Sequence, residues 1–373
     1  MTIPTYTVSQ IASICGGKVI SSGNSDPVIR ELLIDSRRLI HADSCLFIAL
    51  VSERNDGHKY ISELYKKGVR AFMVSELRGE FLNEAGKVEQ SNNRTLEPSN
   101  FEIPAQCPTS PTYQLTNLPA YQLTGSTFIL VPNTLTALQR LGAYHRHQFD
   151  IPVIGITGSN GKTIVKEWLF QLLCRENKII RSPKSYNSQI GVPLSVWKMA
   201  PEYNLAIFEA GISRPGEMEN LESIISPTIG IFTNIGHAHD EHFVNQRQKV
   251  EEKLRLFINA QYLVYCADYP LITECIQAYK SYQNLKTFTW SRNHEADLRI
   301  TSVEKENCKA MINAIFKQET IELSIPFIDE ASIENAIHCI ALELLLETLV
   351  PRPSPLVPRP SPLVPRPSPL VPR

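Results

Sequence analysis

The sequence predicts an α/β fold in which a small N-terminal α/β domain precedes a doubly wound, mostly parallel sheet domain, and a disordered proline-rich tail follows. Three observations lead to this prediction. Short apolar runs alternate with helix-length segments in residues 1–78 and again in 151–348, and a proline-rich heptad recurs in 349–373. Because strands separated by helix-length segments tend to pair in parallel, the longer second region should hold the main sheet.

The N-terminal region contains apolar runs bounded by polar residues. Their spacing predicts a helix at Ser9–Ile14, strands at Val28–Ile34 and Cys45–Leu50, a helix at Tyr60–Lys67 and a strand at Ala71–Val74. Residues 79–127 are polar and turn-rich without helical or strand periodicity, which predicts an exposed insertion that is loop or disordered. A strand at Phe128–Val131 and a helix at Leu135–Phe149 should end this domain and link it, within 128–150, to the next.

The second region, residues 151–348, repeats the alternation over a longer stretch. The pattern predicts a helix after Thr163 and strands at Val153–Ile156, Leu205–Glu209, Gly230–Thr233 and Tyr262–Cys266. From Leu349 onward the heptad LVPRPSP occurs three times and ends in LVPR. Proline removes backbone donors and restricts φ, so this tail should be polyproline-like or disordered.

Composition excludes several classes of function. Lys and Arg number 37 and Asp and Glu 38, for a formal net charge of -1, and no basic block is wide enough to follow a nucleic-acid backbone. The eight cysteines include no C-x-x-C pair, which favours buried thiols in a reducing compartment. No signal-peptide pattern and no apolar stretch of membrane-spanning length occurs, so we expect a cytoplasmic protein.

The segment VIGITGSNGKT joins an apolar strand to a helix and is typical of a phosphate-binding loop. Gly158 and Gly161 would let backbone N–H groups face phosphate oxygens, Lys162 would reach the terminal phosphates, and the Thr163 hydroxyl would ligate Mg²⁺. The general P-loop spacing requires glycine where this chain has Ile156. The alternative is that these glycines only form a tight turn and bind no phosphate. The sequence GKT, placed between a predicted strand and a predicted helix, makes this alternative less favoured.

Three downstream residues have chemistry suited to a magnesium site beside this loop. Glu209 ends the predicted strand LAIFE, His239 follows the strand GIFTN, and Lys253 lies in the charged segment KVEEKLRLF. Taken singly, a Glu or His at a strand end is more often a cap, and Lys253 looks like a surface lysine.

Together these segments resemble the Mur ligase family, and most closely its MurF type. The loop form T-G-x-N-G-K-T is the variant of Mur ligases and folylpolyglutamate synthases. Glu209 matches the family's E-x-G element, Asn234 and His239 match N-[IV]-x-x-x-H, and Lys253 matches the K-x-x-[IL]-F element whose lysine is carbamylated. The resemblance implies two Mg²⁺ ions held by Thr163, Glu209, His239 and carbamylated Lys253. It implies an ATP site made of Gly158, Ser159, Asn160, Gly161, Lys162, Thr163 and Asn335.

The resemblance covers most of residues 5–348 outside the insertion. Ser36 and Arg37 in DSRR, and Asp56 and His58 in NDGH, match elements that Mur ligases place around uridine diphosphate. Asn187 in SYNSQIGVP matches part of the nucleotide-sugar element N-x-N-N-x-x-G-x-P. Asn335 in ASIENA matches the adenine-binding asparagine of H-N-x-x-N-A, although a helix N-terminus capped by Ser332 also explains this stretch.

The resemblance implies an ATP-dependent amide ligase of peptidoglycan precursor synthesis that adds D-alanyl-D-alanine to UDP-N-acetylmuramoyl-tripeptide through an acyl phosphate. Lys162, Lys253 and His239 would be catalytic, and we expect a monomer. Another Mur-type ligase, a folylpolyglutamate synthase and a nucleotide-binding remnant without turnover are the alternatives. Since the chain passes from Glu343–Glu347 directly into the LVPRPSP repeat, we expect the family's third domain to be missing and activity to be impaired.

Overall fold

The computed structural model describes residues 5–21, 26–53, 55–77, 82–83, 120–121, 123, 125–236, 243–279 and 282–349. The chain divides into a first compact unit that ends at Leu141 and a second that begins at Gly142. Most of the predicted insertion, the tail from residue 350 onward, and His239 lie outside the described residues. The predicted domain boundaries remain predictions.

The first unit is built on a five-stranded sheet, and its described elements are β1 Tyr6–Thr7, α1 Val8–Cys15, β2 Lys18–Ser21, β3 Val28–Ile29, β4 Glu31–Leu33, β5 Cys45–Ile48, β6 Val51–Ser52, β7 Asn55–Asp56, α2 Ile61–Lys66, β8 Ala71–Val74, β9 Leu82–Asn83, β10 Ala120–Tyr121 and β11 Thr127–Leu130. Helix α3, Thr134–Arg146, begins in this unit and ends in the second. The strand order is β2-β11-β8-β5-β4. All neighbours pair in parallel except β2, which is antiparallel to β11.

Local sequence explains most of these elements. Helix α1 begins at a capping box, in which Thr7 and Gln10 bond each other's backbone N–H groups, and ends at left-handed Gly16. The predicted strand at Val28–Ile34 is wrong in part. The Arg30 and Glu31 amides both donate to Ser44 O, and the chain forms two short strands in different sheets. The helix predicted from Tyr60 is preceded by a 3-10 turn at Gly57–Tyr60.

The second unit contains a nine-stranded sheet, and its elements are β12 Val153–Thr157, α4 Lys162–Leu173, β13 Ile179–Arg181, α5 Gly191–Val196, β14 Leu205–Glu209, α6 Glu217–Ile225, β15 Ile229–Phe232, α7 Gln246–Leu254, β16 Tyr262–Cys266, α8 Pro270–Ala278, β17 Lys286–Ser291, β18 Leu298–Glu306, β19 Lys309–Phe316, β20 Glu319–Ile325 and α9 Glu330–Leu349. The order is β13-β14-β12-β15-β16-β17-β18-β19-β20. Pairing is parallel from β13 to β18 and antiparallel for β19 and β20.

The central parallel strands β12, β14, β15 and β16 are buried on both faces, as the prediction of a doubly wound sheet requires. Ile154 and Ile156 of β12 belong to one core cluster with side chains of α4 and α9. Val153, with Ala206 and Phe208 of β14, belongs to a second cluster packed against α5 to α8. Because successive strand residues point to opposite faces, both layers of helices are held by the same strands, and the loops after β12, β14 and β15 emerge at one edge.

Among the described residues, no helix is long and apolar enough to cross a lipid bilayer. Of the seven described cysteines, five are buried and all are free thiols.

Candidate functional site

The phosphate-loop candidate lies between β12 and α4, as predicted. Gly158 has φ 141° and Gly161 has φ 83°, values that side-chain-bearing residues rarely adopt. Space is equally restrictive. A Cβ at Gly158 would lie 2.0 Å from Thr233 Oγ1, and a Cβ at Gly161 would lie 2.1 Å from Asn335 Oδ1. Both glycines are therefore required by backbone conformation and by the side chains packed against them.

The segment after β15, Thr233–Gly236, holds the loop in place. The Ser159 amide donates to Asn234 O at 2.8 Å, and the Asn160 amide donates to Asn234 Oδ1 at 3.0 Å. Thr233 Oγ1 donates to Asn160 O at 2.6 Å. The loop is thus preorganised by a neighbouring strand end. The sequence reasoning used Asn234 only to locate His239 and did not predict this contact.

Glu209 stands at the end of β14 and is fully buried. Its Oε2 accepts a hydrogen bond from Thr163 Oγ1 at 2.9 Å and lies 3.4 Å from Asn187 Nδ2. Its Oε1 accepts from Lys166 Nζ at 3.0 Å. A carboxylate and a hydroxyl that meet at the start of a helix beside a glycine-rich loop are hard oxygen donors, and this donor set fits Mg²⁺.

Three lysines lie around the same loop: Lys249 and Lys253 are buried, and Lys162 is partly buried. Lys162 Nζ donates to Gly158 O at 2.9 Å and to Ser159 O at 3.2 Å, and Lys253 Nζ donates to Gly158 O at 3.1 Å. Burial, with the like charges of Lys162 and Lys249, lowers the pKa of Lys253 to about 7. Burial also lowers the pKa of Lys162, which the Glu209 carboxylate partly offsets. Lys253 is therefore an amine that is partly neutral near pH 7, unlike an ordinary surface lysine.

Lys249 was not predicted. It is buried, lies one turn before Lys253 on α7, and its ammonium group donates to Gly236 O. The i, i+4 spacing of the two lysines is the sequence signal that points to a shared helix face.

Helix α9 contributes two polar residues to the site. Asn335 is buried with its side chain against Gly161. One turn later, His338 accepts a hydrogen bond from Trp290 Nε1 at Nδ1 (3.1 Å) and donates from Nε2 to Thr233 O (2.7 Å). Asp329, and not Ser332, caps the helix, because the Ser332 amide donates to Asp329 Oδ1. The stretch is thus both a helix start and part of the loop's surroundings.

The predicted uridine-site residues Ser36, Arg37, Asp56 and His58 lie in the first unit. Arg37 is exposed and pairs with Asp35 at 2.8 Å, and Ser36 is buried in the same 3-10 turn. Asp56 Oδ1 accepts from His58 Nδ1 at 2.7 Å, while the Ser75 amide donates to His58 Nε2 at 3.3 Å.

The side chains of Asp56, His58 and Glu76 lie close enough together to hold a metal ion. Both ring nitrogens of the buried His58 are engaged in hydrogen bonds, however, so the imidazole has no lone pair directed at a metal. We therefore interpret Asp56 and His58 as parts of a hydrogen-bonded turn and not as metal ligands.

Comparison with known proteins gives consistent matches. Residues 156–343 match the family model of the Mur ligase middle domain. The UDP-N-acetylmuramoyl-tripeptide--D-alanyl-D-alanine ligase of Bacillus subtilis (strain 168) is 27% identical over 338 residues, which cover 90% of this chain and 63% of the relative.

Two crystal structures share the fold. MurF from Acinetobacter baumannii matches with TM-score 0.72 and 22% identity, over 93% of this chain and 66% of that one. MurF ligase from Thermotoga maritima in complex with ADP matches with TM-score 0.64 and 19% identity, over 85% and 63%. The chain thus spans less than two thirds of the length of each of these relatives.

Proposed function

The chain belongs to the Mur ligase family, and from this premise we propose that it is an ATP-dependent amide ligase of peptidoglycan precursor synthesis. Its proposed substrates are UDP-N-acetylmuramoyl-tripeptide and D-alanyl-D-alanine, those in the name of the Bacillus subtilis relative. The observation that carries the ATP-dependent chemistry is the hydrogen bond between Thr163 and Glu209 beside the glycine-rich loop. ATP as a substrate favours the cytoplasm as the compartment.

The proposed ATP site is the loop from Gly158 to Thr163 and the N-terminus of α4. Amide N–H groups at a helix start favour anionic phosphate, and the two positive-φ glycines let the backbone approach closely. Lys162 would exchange its bonds to the Gly158 and Ser159 carbonyls for phosphate oxygens. Asn335, which lies against Gly161, is in a position to contact the base. The Thermotoga maritima relative holds ADP.

Thr163 Oγ1, Glu209 Oε2, His239 and a carbamylated Lys253 are the residues that would hold the two proposed Mg²⁺ ions. Bound Mg²⁺ would neutralise charge on the transferring phosphate and orient its oxygens. Lys253 suits carbamylation because its pKa of about 7 leaves much of the amine neutral, and neutral amines attack CO₂. The product carries a negative charge, which the ammonium groups of Lys162 and Lys249 would stabilise.

The reaction proceeds in two displacements. The terminal carboxylate of the tripeptide attacks the γ-phosphorus, the bond to the ADP oxygen breaks, and an acyl phosphate forms. The amine of D-alanyl-D-alanine then attacks the acyl carbon, inorganic phosphate leaves, and the amine nitrogen loses a proton. Lys162 offsets negative charge on the phosphoryl oxygens in the first step. The protein supplies positioning and charge and no side-chain nucleophile.

The decisive experiment is mass spectrometry of the purified chain incubated with ATP, Mg²⁺, UDP-N-acetylmuramoyl-tripeptide and D-alanyl-D-alanine. We expect ADP and the UDP-linked pentapeptide. Lys162→Ala should reduce turnover at least about 100-fold, since it removes the charge on the developing phosphate. Lys198→Ala, at an exposed lysine of the same unit, should leave turnover unchanged. Binding of ATP and the UDP substrate without any product would overturn the proposed ligase, and competition by folates would point to a folylpolyglutamate synthase.

A further inference from the structure

Lys166 is a fully buried lysine on α4, one turn after Lys162. Its ammonium group donates to Glu209 Oε1 at 3.0 Å, to Ser182 O at 2.8 Å and to Lys184 O. These three acceptors match the three N–H bonds of an ammonium group, and the partly exposed Glu167 carboxylate lies 3.3 Å from the same nitrogen. Burying this cation is favourable only because its partners satisfy it, so its position is strongly specified.

These acceptors belong to two different parts of the site. Glu209 carries the proposed metal-binding carboxylate, whereas Ser182 and Lys184 accept through their backbone carbonyl oxygens in the loop after β13. We call residues 182–187 the substrate loop, because Asn187 at its end matches the family's nucleotide-sugar element. The loop is bent sharply at Lys184, whose φ is 51°. Such a conformation costs free energy in a side-chain-bearing residue and persists only when its surroundings hold it.

The end of the loop returns to the same carboxylate. Asn187 Nδ2 lies 3.4 Å from Glu209 Oε2, and the Gly211 amide donates to Asn187 O at 2.8 Å. Lys166 therefore donates hydrogen bonds to two carbonyls in the first half of the substrate loop and to Glu209. Asn187, at the end of the loop, contacts the same Glu209 carboxylate.

We propose that Lys166 is a positioning residue that ties the substrate loop to Glu209, so that occupation of the ATP site and the conformation of the substrate loop are coupled. The assignment of the loop to substrate rests on the proposed function, while the tie itself rests on the three hydrogen bonds. A buried lysine that only completed the core would not control this loop selectively. The two roles therefore predict different local effects when the charge is removed.

The first test is amide hydrogen exchange of the ligand-free protein, followed by mass spectrometry. Lys166→Met should speed exchange in peptides that cover 182–187 by about 10-fold, since charged hydrogen bonds are lost there, and leave β12 and β15 peptides unchanged. Lys178→Met, at an exposed lysine next to β13, is the matched control and should match wild type.

Two further variants separate the hydrogen bonds of Lys166 to the substrate loop from its ion pair with Glu209. Glu209→Gln keeps the bonds of Lys166 to the loop, so loop exchange should remain within about twofold of wild type. The double variant Lys166→Met with Glu209→Gln leaves no unpaired buried charge, which protects the fold if Lys166→Met alone is unstable. The loop should exchange rapidly in the double variant. Wild-type exchange in the loop of the double variant, or equal acceleration throughout the unit, would overturn the proposal.

The coupling is tested by the Kd for UDP-N-acetylmuramoyl-tripeptide measured with and without saturating ATP, because coupled sites change each other's affinity. The two Kd values should differ in wild type and become equal in Lys166→Met; equal values in wild type would overturn the coupling.

The affinities for the separate ligands test whether Lys166 acts on the loop selectively. In Lys166→Met and in the double variant, the Kd for UDP-N-acetylmuramoyl-tripeptide should rise about 10-fold, while the Kd for ATP without Mg²⁺ should change less than about threefold. Equal losses for both ligands would overturn this selective role. If wild type binds neither ligand, the proposed function fails, and the exchange result still decides whether Lys166 holds the loop.

Discussion

Gly161→Ala is the substitution for which the structure makes the sharpest quantitative prediction. Gly161 precedes α4 with φ 83° and ψ -18°, and a Cβ there would lie 2.1 Å from Asn335 Oδ1. Two penalties should therefore combine. The left-handed backbone conformation costs an alanine about 1–2 kcal/mol. The collision forces the Asn335 side chain out of its position, and with it a proposed contact to the adenine base.

A second glycine of the same unit isolates the backbone penalty. Gly216 precedes α6 with φ 84° and ψ -9°, and a Cβ there would meet nothing within 4 Å. Gly216→Ala should thus show strain alone, lowering Tm by about 2–8 °C for a domain of this size. Gly161→Ala should lower Tm further, because Asn335 must move. The double variant Gly161→Ala with Asn335→Ala removes the colliding atoms and should return close to the stability of Gly216→Ala.

Thermal unfolding and ATP binding by calorimetry measure the two effects separately. ATP affinity should be unchanged in Gly216→Ala and reduced about 10-fold in Gly161→Ala, which corresponds to the loss of one hydrogen bond. The double variant should remain weak, since it lacks Asn335. If Gly161→Ala and Gly216→Ala match each other in both Tm and ATP affinity, the contact between Gly161 and Asn335 does not govern the loop and the reasoning is refuted.

Three further predictions concern the second unit. Burial and the neighbouring ammonium groups lower the pKa of Lys253 to about 7, so the fraction of neutral amine rises from pH 6 to pH 8. NMR with ¹³CO₂ should detect a carbamate whose signal grows over this range and is absent in Lys253→Ala. The absence of a carbamate at pH 8 in wild type would contradict this prediction. Thr163→Val should raise the Mg²⁺ concentration needed for ATP binding about 10-fold while Thr163→Ser does not, because only the hydroxyl meets Glu209. Burial lowers the pKa of His145 and of His338 to about 4, whereas in the unfolded chain both histidines bind a proton near pH 6.5. The contribution of the two neutral histidines to the free energy of unfolding should therefore be complete above pH 6.5 and fall as the pH drops toward 4. Urea unfolding at several pH values should show this loss, and an unchanged slope in His338→Gln would show that His338 does not cause it.

Periodicity in the sequence was sufficient for much of the second unit. The strands Leu205–Glu209 and Tyr262–Cys266 were predicted with their observed bounds, and β12 and β15 within a residue at either end. Long apolar runs at these positions suit strands covered on both faces, so the pattern does not depend on distant contacts. The strands β17 to β20 were not predicted. Alternate burial of Ala310, Ile312 and Ala314 shows that a period-2 signal was present there.

The position and backbone of the phosphate-loop candidate were likewise predictable, since Gly158, Gly161, Lys162 and Thr163 lie within six consecutive residues at the junction of a strand and a helix. Site residues whose burial depends on tertiary packing could not be predicted from the sequence. Lys166 and Lys249 look like ordinary charged helix positions in the sequence, and only the fold shows that both are buried. His338 joins Trp290 to Thr233, residues 48 and 105 positions away along the chain.

The sequence by itself thus determined the alternation of strands and helices, the place of the loop at a strand end, and Glu209 as a candidate ligand beside it. These features depend on residue type and short spacing, which local backbone preferences translate directly into structure. Only the tertiary structure decided which lysines are buried, which carbonyls their ammonium groups meet, and how far the pKa of Lys253 falls. Burial and charge interaction are properties of groups brought together from distant positions, and they arise only when the sheet, α4, α7 and α9 pack against one another.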